Sequence, residues 1–132
     1  MAQVTRRQQR ITAMQILYSA DLNNETIDKA MLNVSSDVLT DDVRKILVNV
    51  QTNLEKIDTI ISNNLVNYTI SRLNLVDKEI IRIATMELLE NTIAKEIIIN
   101  EALEITKLFS DQGDHKAVSF NNKLLDNISK NI

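Results

Sequence analysis

Apolar residues recur at spacings of three and four along nearly the whole 132-residue chain, the period of an α-helix buried on one face. A first helix is predicted from a cap at Thr5, whose spacing to Gln8 fits a capping box, to about Leu22; its stripe is Ile11, Met14, Leu17 and Tyr18. A short helix follows over 26–34 through Ile27, Ala30, Met31 and Val34. Thr40-Asp41-Asp42 is an N-cap followed by acids that suit a helix dipole. The line Val43, Ile46, Leu47, Val50, Leu54, Ile57, Ile61 and Leu65 then predicts one long helix over about 41–66, with a possible bend at Thr52-Asn53. Beyond a mixed segment at 66–75, a helix from Asn74 to about Glu90 should bury Val76, Ile80, Ile83, Ala84 and Leu88. Another over 99–109 should turn Ala102, Leu103, Ile105 and Leu108 inward. The last, over 116–129, should bury Phe120, Leu124, Leu125 and Ile128. The only run of strand composition, Ile97–Ile99, is too short to build a sheet. The expectation is an all-α fold of about seven helices in two small packed bundles, with subdomains near 1–66 and 67–132.

Composition removes most enzymatic readings. The chain has no cysteine and one histidine, His115, so thiolate or histidine metal clusters and cysteine nucleophiles are ruled out and a histidine-centred triad is improbable. One glycine, Gly113, and no proline leave no Gly-rich phosphate loop or nucleophile elbow. The apolar runs fall far short of the roughly 20 residues of a membrane span, and Gln8, Gln9 and Thr12 interrupt any signal core, so a cytoplasmic protein without cofactor or metal is expected. The paired acids Asp41-Asp42, Asp77 with Glu79, and Glu101 with Glu104 lie at or near predicted helix starts, where the dipole accounts for them.

Charge is distributed unevenly. The net charge is −3, yet residues 1–20 carry Arg6, Arg7 and Arg10 and no acid, while twelve basic and all eighteen acidic residues fall in 21–132. Cations at a helix start oppose the dipole, which suggests a polyanionic partner, nucleic acid first. At about 100° per residue, Arg6 and Arg10 continue the stripe that is apolar from Ile11 onward, so the core should stop there and a guanidinium ledge overhang it. Arginine suits bidentate phosphate contact and stacking on unpaired bases, and Tyr18 lies on the flank of the same helix. Lys116, beside His115, lies where a loop could meet RNA. Three neutralised phosphates would give a log–log salt slope of only about −2 on single strands, so useful affinity should need a partner protein.

Four stretches, in order, resemble the NusB family of antitermination factors. They are Arg6-Arg7-x-x-Arg10-x-x-Ala13-x-Gln15-x-Leu17-Tyr18; a central pattern including Val76-Asp77, Ile81-Arg82-Ile83-Ala84 and Glu87-Leu88; Ile99-Asn100-Glu101-Ala102 with Lys107 and Phe109; and Phe120-x-Asn122-x-Leu124-Leu125-Asp126. The resemblance implies an all-helical protein that binds single-stranded boxA-type RNA of ribosomal RNA leaders as a heterodimer with NusE. The pair would act on RNA polymerase together with other Nus factors. By position, Arg6, Arg7 and Arg10 would grip RNA with Tyr18 near the bases, Lys116 and Phe120 would form the far wall, and Asp77, Arg82 and Glu87 would face NusE. The chain departs from the pattern at Asn121, Lys123 and Ala94, and its loop before Phe120 is about three residues longer. The alternatives are a non-catalytic RNA-binding module for ribosomal RNA modification and a helical protein–protein adaptor. Whether the chain is a monomer or a homodimer that masks the arginines stays open.

Overall fold

The computed structural model describes residues 4–132, and among them the chain forms seven α-helices and no strand. These are α1 (Arg6–Leu22), α2 (Ile27–Leu32), α3 (Asp41–Thr52), α4 (Leu54–Asn64), α5 (Leu75–Glu90), α6 (Lys95–Phe109) and α7 (Lys116–Asn131), with a single 3₁₀ turn at Ile70–Arg72. The all-α expectation holds.

α5 is the axis of the molecule. It packs against α1, α3, α4, α6 and α7, and every residue from Glu79 to Leu88 is buried. A helix enclosed on all sides needs its polar residues paired internally, and that requirement shapes the site described below. α1 lies across α5 with α2 and α3 on its other flanks, whereas α4, α6 and α7 pack on α5 from the opposite half. One continuous core, including Leu17, Leu47, Ile57, Ile61, Ile81 and Leu125, joins the two halves.

Local chemistry sets the helix ends. The Gln8 backbone amide donates to Thr5 Oγ1 at 3.1 Å and the Thr5 amide to Gln8 Oε1 at 2.9 Å, the reciprocal capping box expected at the start of α1. α5 starts where Asn74 Oδ1 accepts from the amides of Val76 and Asp77, and it ends at Asn91 in the left-handed conformation. The loop into α7 turns at Gly113 (φ +89°) and His115 (φ +60°), a backbone shape for which the chain's lone glycine is suited.

Three expectations change. The long helix over 41–66 is two helices: Asn53 leaves helical geometry, and its backbone N–H and side-chain amide both donate to the Asn49 carbonyl, at 3.3 and 2.9 Å, which caps the end of α3. α6 begins at Lys95 rather than near 99, and the face it packs inward carries Ile98, Ala102, Ile105 and Thr106, which leaves Leu103 half-buried and Leu108 63% exposed. Phe120 lies outside the core, 40% exposed, because α7 buries Asn121, Leu124, Leu125 and Ile128 instead.

Candidate nucleic-acid interface

The acid-free N-terminus of the sequence acquires acids in space. Arg10 Nε donates to Glu87 Oε1 at 2.9 Å, and both side chains are enclosed, 7% and 3% exposed. Arg6 reaches the same carboxylate oxygen more loosely, at 3.9 Å, while half of its side chain remains in solvent. Arg7 pairs with Glu101 of α6 through two parallel bonds, Nε to Oε2 at 2.7 Å and Nη2 to Oε1 at 3.1 Å. The Glu101 carboxylate raises the Arg7 pKa, and Arg7 in turn holds Glu101 below the usual carboxylate range. Of the three expected phosphate contacts, Arg6 and Arg7 are therefore placed at the surface. Arg10, unlike the exposed ledge expected of it, pairs with Glu87 inside the body, beside Met14, Ile80, Ile98 and Ile105. Counting Glu87 and Glu101, the cluster keeps one net positive charge from three arginines. Tyr18 is half-buried on the same helix.

The residues expected to face a partner protein point inward. Arg82 is the hub of a network joining three helices. Its Nε and Nη2 bond Asp58 of α4 at 2.9 and 2.8 Å, and its Nη1 bonds Asp21 of α1 at 2.9 Å and Glu79 at 2.8 Å. Lys78 adds a second cation to Asp21 at 3.0 Å. Burial, then hydrogen bonding with Asp21, raises the Glu79 carboxyl to about 8, and Asp21 is lowered by hydrogen bonds with Glu79 and Lys78, which outweigh its burial. Arg82 and Glu87 are thus internal ties in the chain by itself, buried rather than presented on an open face. Asp77 is half-buried and accepts from Asn121 Nδ2 at 3.2 Å. The dipole reading of Glu79 and Glu101 is likewise replaced: the first is enclosed in an ion network, and the second sits nearly two turns inside α6.

The far wall gathers around Phe120 rather than around the arginines. Its ring lies 5.8 Å from that of Tyr68, tilted by 58°, and with Asn64, Leu65, Val66, Lys123 and Asn127 it borders a groove between α4 and α7. Two exposed aromatic rings beside a lysine and amides form a stacking surface with hydrogen-bonding rims. Asn121 sets the register of this wall: fully buried, it also donates to Thr106 Oγ1 at 3.1 Å, tying α7 to α6. Lys116 is exposed at the first position of α7. The sequence gives no role to Tyr68, Asp21 or Asp58, and gives Glu101 only that of a dipole acid. Only Tyr68 carried a local signal, as an aromatic in a polar segment; the others acquire their roles from helices distant in the chain.

Among the described residues no group of histidine and carboxylate side chains is arranged to hold a metal ion, and no helix is long and apolar enough to cross a membrane.

The profile of the NusB family matches residues 7–130. A transcription antitermination protein NusB of Clostridium botulinum is 41% identical over 96% of this chain and 99% of its own length. The NusB structure from T. maritima superposes with a TM-score of 0.85 at 29% identity, covering 98% of this chain and 93% of that one. A structure of antitermination factors NusB and NusE in complex with dsRNA gives a TM-score of 0.79 at 25% identity, covering 96% of this chain and 97% of that one.

Proposed function

This chain belongs to the NusB family, and from that membership we propose that it is a transcription antitermination factor that binds boxA-type leader RNA of ribosomal RNA operons as a heterodimer with NusE. It works in the cytoplasm on elongating RNA polymerase with other Nus factors, and it catalyses no reaction itself. The carrying observation is the family match over residues 7–130 combined with a capped α1 that presents Arg6 and Arg7 at the surface.

Arg6 and Arg7 supply the phosphate contacts on one side, with Tyr18 on their flank. Phe120 offers a stacking face, with Lys116 at the start of the same helix. Arg10 serves as a positioning residue, anchoring α1 to Glu87 so that its first turn stays ordered. Arg82 and Glu87 hold the two halves, about 1–66 and 67–132, as one body, which the continuous core supports. Asp77 remains at the rim of that body, where NusE would approach.

A single net charge at the ledge lowers the expected salt slope of the isolated chain to about −0.7. Most of the affinity must then come from stacking and from the partner. Titration of labelled boxA-type RNA, single-stranded and double-stranded, with and without NusE tests this. Tighter binding in the presence of NusE is expected, and equal affinity in both cases refutes the reading.

A further inference from the structure

The Arg7–Glu101 pair differs from every other ion pair of the α1 ledge. The Arg10–Glu87 pair is sealed in the interior, whereas Arg7 and Glu101 are 41% and 23% exposed and can part without opening the core. Glu101 has no other hydrogen bond or ion pair among the described residues, and lying well inside α6 it caps nothing. Its two oxygens occupy the Nε–Nη2 edge of the guanidinium in the fork geometry with which arginine holds a phosphate. A carboxylate and a phosphate cannot use that edge at once.

Building on the RNA-binding reading above, we propose that Glu101 is an internal competitor for RNA: it occupies the phosphate-binding edge of Arg7 in the free protein, and RNA binding exchanges the Arg7–Glu101 pair for an Arg7–phosphate pair. The exchange sets affinity: any RNA that engages Arg7 replaces one anion by another, and that cost is the same whatever else the RNA contacts, including the Tyr68–Phe120 surface. The mutual pKa displacement of the two side chains agrees with a pair fully ionised at neutral pH.

The test compares wild type, Glu101→Gln, Arg7→Ala and the double variant, each with NusE, for binding to a boxA-type RNA and to oligouridine of equal length across a salt series. Gln keeps the shape and one acceptor oxygen but removes the charge. Glu101→Gln should bind oligouridine about two- to fivefold tighter at low salt, with a slope steeper by about 0.7. The gain should be of similar size for the boxA-type RNA and absent in the Arg7→Ala background. In the wild type, the Arg7 Nε–H resonance should move on addition of RNA, a readout independent of any substitution. Unchanged or weaker oligouridine binding by a folded Glu101→Gln protein, or an Arg7 resonance unmoved by bound RNA, overturns this inference alone. Failure of the wild type to bind either RNA with NusE present overturns the proposed function and this inference with it.

Discussion

Replacing Arg10 by alanine separates an RNA-gripping arginine from an architectural one. In the folded protein Glu87 is 3% exposed, and Arg10 Nε is its close partner at 2.9 Å. Removing the guanidinium leaves a carboxylate enclosed by α1 and α5 with only Arg6, 3.9 Å away, to offset it. Breaking a buried ion pair costs about 3–5 kcal/mol. Partial rescue by Arg6 lowers this, while loss of the arginine stem that lines the space beside Met14, Ile80, Ile98 and Ile105 raises it. We expect a destabilisation of about 2–4 kcal/mol. Arg6→Ala, at a half-exposed site, should stay within about 1 kcal/mol. Urea unfolding followed by helical circular dichroism measures both. The double variant Arg10→Met with Glu87→Met should regain most of the loss, since apolar residues of similar volume often replace a buried pair without penalty. A loss below about 1 kcal/mol for Arg10→Ala, with RNA binding abolished, would show that Arg10 is a phosphate contact after all and refute the architectural role.

Two other outcomes follow from the same structure. Glu79 titrates near 8 when folded against 4.5 for the free group, so between those values the folded state retains a proton the unfolded chain has lost. Stability should fall as pH rises through that window, by at most about 1.4 kcal/mol per pH unit. Glu79→Gln should flatten this portion of a pH–stability curve, and an unaltered slope would refute it. Phe120→Ala removes a ring that is 40% exposed and packed on Tyr68. Its unfolding free energy should change by less than about 1.5 kcal/mol, while RNA affinity measured by fluorescence anisotropy should drop by about 1–3 kcal/mol if a base stacks there. Equal affinity to wild type would remove Phe120 from the site.

Helical periodicity and local capping chemistry were sufficient for the class of fold. The Thr5–Gln8 box, the acids after Thr40, the cap at Asn74 and the loop around Gly113 all act within a few residues of themselves, so they could be read before any packing was known. Periodicity identifies the face a helix buries and says nothing of what that face meets. Glu87 lies 77 positions from Arg10 and Glu101 lies 94 from Arg7, and only the packing of α5 and α6 on α1 brings them together. The same limit explains Phe120, whose apolar character suggested burial until the pairing of Asn121 with Thr106 and Asp77 set the rotation of α7. The kinds of residue available to touch RNA were thus written in the linear order of the chain. Which of them remain free to do so was decided by the tertiary structure, because a charge enclosed by neighbouring helices must be paired there and is no longer available to solvent or ligand.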